Sequence, residues 1–263
     1  MKALFFDIDG TLIDGLQGIR EIPATVVTQL ERLHDAGHKL VICSGRPWAM
    51  IDSSLRLPLF DAYVMCNGGH VEADGKTLHA DLMDQALVRS YVELFDELGM
   101  EYMLQTAHHI YLDRRFTHIQ RFFADFGQPD IFTFEFDRED AVRRTIKLEA
   151  HATGLDAARM RAAVEGRAAY TAHMDGNGGY NAFEVFSPTT SKAVGVELLL
   201  SHYGIARSES LGFGDGINDL EMICAVGTGV AMGNACDELK AAADVVCGDV
   251  TDDGLARYLA TVE

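Results

Sequence analysis

The runs Ala3-Leu4-Phe5-Phe6 and Lys39-Leu40-Val41-Ile42-Cys43 are short and apolar, with no polar alternation along them. Strands of that kind are stable when both faces are covered, which is the condition of a parallel sheet with helices on either side. Each runs straight into a polar loop. Between them Val26, Leu30 and Leu33 fall on one helical face, Pro23 suits the first turn, and Gly37 suits the C-terminal cap. The C-terminal third repeats this order. A helix over Lys192 to Tyr203 closes at Gly204, and a strand over Ser210 to Phe213 precedes a helix from Asn218. Strands near Val230-Ala231-Met232 and Val245-Val246 follow. The grammar is α/β with a parallel, Rossmann-like sheet.

The middle of the chain follows a different order. It offers a hairpin over Glu101 to Asp113, a helix over Arg115 to Phe126, a strand over Thr145 to Glu149 and a helix over Leu155 to Val164. Strands over Ala168 to His173 and Asn181 to Phe186 complete it. This is α+β order, so residues 81–184 are expected to form an inserted domain, with residues 1–80 and 185–263 forming the core. In an open α/β sheet, ligands bind beyond the C-terminal ends of the strands.

Composition narrows the functions available. The formal charge of 22 − 40 = −18 repels nucleic acid and anionic membrane, and also a phosphorylated small molecule, so an anion site must be built locally. No apolar run reaches membrane-spanning length, and Met1-Lys2 leads directly into a strand, which sets the expectation of a cytoplasmic protein. The five cysteines are widely spaced and never paired as C-x-x-C. They are expected to be reduced thiols, mostly core filler, with no zinc site. The oligomeric state is left open by the sequence.

Two acidic loops carry the chemistry. Asp7-Ile8-Asp9-Gly10-Thr11 leaves the first strand with two carboxylates, and Gly10 lets backbone approach a ligand. A carboxylate attacks a phosphate poorly because both are negative, so such a site needs a bridging divalent cation, and Mg²⁺ suits oxygen ligands. Gly212-Phe213-Gly214-Asp215-Gly216-Ile217-Asn218-Asp219 brings two more carboxylates between a strand and a helix. A helix cap accounts for Asn218 or Asp219 but less well for Asp215. Ser44-Gly45-Arg46 after the second strand, and Lys192 at the start of a helix, supply the hydroxyl and ammonium that the acidic loops lack.

These four segments, in this order, resemble the four motifs of the haloacid dehalogenase superfamily. Asn67-Gly68-Gly69, Ala231-Met232-Gly233-Asn234-Ala235, Asp252-Asp253-Gly254 and an insert of this size are similar to the Cof-type, sugar-phosphatase-like branch, whose insert is a C2B cap that chooses the substrate. The resemblance implies a Mg²⁺-dependent phosphatase acting on a small-molecule phosphate ester. Asp7 would be the nucleophile that becomes phosphorylated, and Asp9 the acid and then base. Asp7, the Asp9 carbonyl and Asp215 would ligate Mg²⁺, with Asp219 behind them. Ser44 and Lys192 would hold the phosphoryl group, with Gly10, Gly45, Arg46 and Asn218 as further phosphate-binding or orienting positions. An acid at Asp9 separates this pattern from dehalogenases and transport ATPases. A phosphomannomutase-like mutase and an idle phosphate-binding regulator are the alternatives.

The segment His173-Met174-Asp175-Gly176-Asn177-Gly178-Gly179-Tyr180 is either a ligand-approaching loop or a plain hairpin turn. His108 and His109 are adjacent, so on a strand one would face solvent and the other the core. Phe116, Ile119, Phe123 and Phe126 recur at helical spacing and are expected to be core.

Overall fold

The computed structural model describes residues 1–152, 154–174 and 181–263, so Asp175 to Tyr180 of the glycine-rich segment lie outside the described residues. In chain order the strands are β1 (Ala3–Phe6), β2 (Lys39–Cys43), β3 (Ala62–Met65), β4 (His70–Ala73), β5 (Lys76–Ala80), β6 (Glu101–Gln105) and β7 (Ile110–Leu112). They continue as β8 (Phe132–Thr133), β9 (Lys147–Ala152), β10 (Ala169–Met174), β11 (Asn181–Phe186), β12 (Ser210–Gly214), β13 (Thr228–Ala231) and β14 (Val245–Val246). The helices are α1 (Ala24–Asp35), α2 (Gln85–Leu98), α3 (Thr117–Asp125), α4 (Arg138–Arg143), α5 (Gly154–Val164), α6 (Lys192–Tyr203), α7 (Leu220–Ala225), α8 (Asp237–Ala242) and α9 (Gly254–Leu259).

The strands form two sheets, ordered β14-β13-β12-β1-β2-β3-β4-β5 and β10-β11-β9-β6-β7-β8. The first is parallel from β14 to β3 and turns antiparallel at β4. Its central strands are apolar along their length because both faces are covered: every residue of β1 is buried. This is the α/β core with an inserted α+β unit. One compact unit comprises Met1–Arg46, Ile51–His79 and Ser191–Glu263, and the other Pro47–Met50 and Ala80–Thr190. The second unit ends later than residue 184 because β11 runs on to Phe186, after which the Thr189 and Thr190 hydroxyls donate to Asp81 Oδ2 at 3.0 and 2.6 Å. Pro47–Met50 belongs to it because Met50 packs with Met103, Ile119 and Phe123, and its carbonyl accepts from Gln128 Nε2.

Helix α1 buries Val26, Leu30 and Leu33, and Gly37 follows it at φ +85°. Helix α6 approaches β3 closely: a Cβ on Gly195 would lie 2.3 Å from Val64 Cγ1. A Cβ on Gly68 would lie 1.9 Å from the carbonyl oxygen of Ser191. Both contacts place the first turn of α6, and so Lys192, against the C-terminal end of the sheet.

Several expectations are corrected. Strands β3 to β5 and helix α2 were not anticipated. The helix expected from Asn218 starts as a 3₁₀ turn over Ile217–Asp219 and becomes α-helical only at Leu220. Phe126 is exposed because α3 stops at Asp125, before the next core-facing position. His108 and His109 lie in the turn between β6 and β7, so strand alternation does not apply and both are exposed. Of the cysteines only Cys43 and Cys66 are buried; Cys224 is exposed. Among the described residues no helix is long and apolar enough to cross a membrane.

Candidate active site

The parallel register sets the site. Phe6 is level with Phe213 on one side and with Ile42 on the other, so Asp7, Gly214-Asp215 and Cys43-Ser44 emerge together at the C-terminal ends of β1, β12 and β2. The Asp7 amide donates to the Phe213 carbonyl at 2.9 Å, which continues the ladder one residue beyond β1. The chain then turns sharply, with the amides of Thr11, Leu12 and Ile13 all directed at the Ile8 carbonyl. Gly10 completes the turn at φ +79°, and a Cβ there would lie 2.1 Å from Asp215 Oδ2. Only glycine meets both demands.

Carboxylate atoms of Asp7, Asp215 and Asp219 lie within 4.8 Å of one another. Lys192 is 1% exposed and donates from Nζ to Asp7 Oδ1 at 2.7 Å and to Asp219 Oδ1. A cation in the first turn of a helix opposes the macrodipole, and these two carboxylates offset that. Asp219 Oδ2 accepts from the amides of Asp215 and Gly216, each at 3.0 Å, so both of its oxygens already have donors. That suits Asp219 to bracing the loop and Lys192. Among the described residues no donor reaches the second oxygen of Asp7.

Three buried or half-buried carboxylates share one ammonium, and the protonation equilibria report the excess. Burial, then the Asp219 charge, push the Asp7 carboxyl well above the usual carboxylate range despite Lys192. Burial and Asp219 likewise push Asp215 up to about 7. Burial works against the Lys192 charge, but Asp219 and Asp7 outweigh it and hold the ammonium protonated. Hard oxygen donors and an uncompensated negative charge fit a divalent cation such as Mg²⁺, with Asp7 and Asp215 as the side chains able to hold it. Cys43 is adjacent but burial keeps it a thiol.

The remaining positions divide. Ser44 is buried, and its hydroxyl accepts from the Arg46 amide at 3.2 Å. Gly45 makes room for Asn67, whose Oδ1 would lie 2.9 Å from a Cβ at Gly45 and accepts from Asn218 Nδ2 at 3.3 Å. Arg46 holds Asp9 through two bonds, Nε to Oδ2 at 2.8 Å and Nη2 to Oδ1 at 2.6 Å. Asp9 itself is exposed. Two site residues escaped the sequence reading as such. Asn67 sits at φ +56°, a region that Asn tolerates better than most residues. Asn234 Nδ2 donates to the Gly10 carbonyl at 2.8 Å while its Oδ1 accepts from the Val250 amide, so it ties the first acidic loop to the far edge of the core. An Asn in the loop just past a parallel strand, three residues beyond the end of β13, is the signal that could have marked Asn234.

Known proteins resemble this chain along nearly its whole length. A model of haloacid dehalogenase-like hydrolases matches residues 4–259. The Bacillus subtilis (strain 168) 5-amino-6-(5-phospho-D-ribitylamino)uracil phosphatase YitU is 26% identical, over 96% of this chain and 94% of its own. Pyridoxal phosphate phosphatase YbhA of Escherichia coli (strain K12) is 24% identical, over 98% of this chain and 97% of its own. The solved structure of the subclass IIB sugar phosphatase BT4131 is 26% identical, with a TM-score of 0.84 over 99% of this chain and 98% of that one.

Proposed function

The chain belongs to the haloacid dehalogenase-like hydrolase family, and from that premise we propose that it is a Mg²⁺-dependent phosphomonoester hydrolase working through an aspartyl phosphate on Asp7. The observation that carries the reading is the cluster of Asp7, Asp215 and Asp219 around Lys192 at the ends of adjacent parallel strands. Relatives whose names specify phosphate esters of small polar molecules support the substrate class.

Lys192 holds Oδ1 of Asp7, and the other carboxylate oxygen attacks phosphorus while the bond to the ester oxygen breaks. Asp9 gives its proton to the departing alkoxide. It then takes a proton from water, whose oxygen attacks the phosphorylated Asp7 and frees inorganic phosphate. For this, one oxygen of Asp9 turns from Arg46 towards the ester. Ser44 and Lys192 hold phosphoryl oxygens, with Asn218 and the backbone at Gly10 and Gly45 orienting them. Asp7 and Asp215 would hold Mg²⁺, which when bound favours ionised Asp7 and polarises the phosphoryl group.

The test is phosphate release from a panel of sugar, polyol, nucleoside and pyridoxal phosphates, with Mg²⁺ and with EDTA. Release that stops in EDTA and returns with Mg²⁺ is expected. Tight binding of esters with no release from any of them would instead support a mutase or a regulator.

Two further results are expected. With Asp215 titrating at about 7, a proton competes with the cation below that pH, so the apparent Mg²⁺ affinity should weaken by up to about tenfold per pH unit on acidification. The sign is opposite for the cation-free protein. A carboxyl raised on folding adds stability at low pH and loses it as pH rises through about 7. Melting curves with and without Mg²⁺ from pH 5 to pH 8 should therefore diverge upward, and a Mg²⁺ shift independent of pH would contradict this. Gly10→Ala should lower kcat/KM at least about tenfold, because a Cβ strains φ +79° and displaces Asp215. Gly15→Ala, with nothing within 4 Å of the added carbon, is the control and should be unchanged.

A further inference from the structure

The turn that follows β3 is strained. Cys66 lies at φ +52°, Asn67 at +56° and Gly68 at +101°, three successive residues in the left-handed region. Among the described residues four non-glycine residues have positive φ, and two of them stand side by side here. Glycine adopts that region freely, whereas a Cβ makes it costly. Such conformations persist where the surroundings hold them, and they cluster at functional sites.

The surroundings here are the loops of the active site. The Cys66 amide donates to the Arg46 carbonyl and the Asn67 amide to the Ser44 carbonyl, each at 3.1 Å, which laces the turn to the loop after β2. Gly68 meets the carbonyl of Ser191, immediately before Lys192, so closely that a Cβ would lie 1.9 Å from the oxygen. The Asn67 side chain is buried. Its Oδ1 occupies the space that a Cβ on Gly45 would need, 2.9 Å away, and accepts from Asn218 Nδ2 at 3.3 Å. Three residues thus reach three loops, all within the first compact unit.

Asn218 depends on that contact. It is exposed, on a 3₁₀ turn over Ile217–Asp219, and the bond to Asn67 is the one side-chain hydrogen bond it makes among the described residues. An exposed amide samples several rotamers, and fixing one before a ligand arrives removes an ordering cost from binding. Glycine would meet the backbone demand at position 67 with less strain, so what asparagine adds is its carboxamide. We propose that Asn67 is a positioning residue for phosphoryl binding: its carboxamide aims Asn218 at the phosphoryl oxygens, and the strained turn aims Asn67. Donation to Asn67 occupies one N–H of Asn218 and leaves the other for a phosphoryl oxygen. The inference deepens the proposed function and rests on it only in taking a phosphoryl group as the ligand.

Binding of inorganic phosphate to the full chain in Mg²⁺, followed by ³¹P NMR, tests it without turnover. Asn67→Gly and Asn218→Ala should each weaken binding about tenfold, and the double variant should be no weaker than Asn218→Ala, because both changes remove the same oriented donor. Losses that multiply to about a hundredfold would mean that the two residues act separately and would overturn the proposal, as would unchanged affinity in Asn67→Gly. Melting curves separate this from a structural role. Asn67→Gly should melt about 2–4 °C above Asn67→Ala, since glycine alone relieves the strain, yet bind phosphate no better. Should neither variant at position 67 fold, Gly45→Ala probes the contact from its other side, because the three atoms nearest the added carbon all belong to Asn67. It should weaken phosphate binding about tenfold alone and not at all in the Asn218→Ala background; equal losses in both would overturn the proposal. Wild type that binds phosphate but cleaves no ester ends the hydrolase reading and leaves these affinities to decide this one. Wild type that binds no phosphate overturns it.

Discussion

Asp7→Asn is expected to reduce phosphate release at least about a thousandfold while leaving the cation-free protein as stable as wild type or more so. The loss follows from chemistry: an amide oxygen is not a nucleophile towards phosphorus, and Asp7 is the one carboxylate standing directly after β1. The stability follows from electrostatics. Asparagine keeps an oxygen for Lys192 Nζ, yet it removes a buried charge that repels Asp219. Wild-type Asp7 is driven towards its neutral form when no cation is present, and asparagine resembles that form permanently. Melting curves in EDTA should therefore rise or stay level, whereas the stabilisation by Mg²⁺ should shrink. Residual release within about tenfold of wild type would move the nucleophile elsewhere. A large drop in the EDTA melting temperature would mean that Asp7 is structurally required.

The same electrostatics separates what the sequence displays from what it conceals. A short apolar strand ending in a carboxylate is a local pattern, and Asp7, Asp215 and Lys192 all stand at ends of elements that periodicity marks out. Parallel register then brings those ends together, because neighbouring strands in such a sheet finish at the same edge. Side-chain partnership is not local. Nothing near Arg46 in sequence shows that its guanidinium grips Asp9, and nothing near Asn67 shows that it sits between Gly45 and Asn218. Strands β3 and β4, of four residues each, carry too little periodicity to stand out. Helix α2 was more legible than the reading made it, with Asp84 as N-cap accepting from the Leu87 amide and Gly99 closing it in the left-handed region. Phe126 shows the opposite failure: spacing continued the apolar stripe where the helix itself had ended.

Lys192→Met should produce the largest loss of stability in the molecule, about 3–5 kcal/mol, together with at least about a hundredfold loss of activity. Methionine fills the channel left by the lysine stem, so the cavity term is small and the charge term dominates. Without the ammonium, Asp7 Oδ1 and Asp219 Oδ1 lose their shared donor in a place that water barely reaches. Asp219 retains the two backbone amides on its other oxygen, and Asp7 retains its repulsive neighbours. The Asp7 carboxyl, which Lys192 otherwise holds down, then favours the proton more strongly on folding, so the variant should be less destabilised at pH 5 than at pH 8. Denaturant melts at those two pH values measure that difference. Lys192→Arg should not restore activity, since a planar guanidinium needs more room than this buried site provides. Adding Asp219→Asn to Lys192→Met removes one of the stranded charges and should recover part of the stability while restoring none of the activity. A double variant no more stable than the single one would mean that Lys192 supports the fold through packing of its stem. Recovery confined to stability would locate its contribution in the charge shared by Asp7 and Asp219, the same charge that the proposed phosphoryl transfer uses.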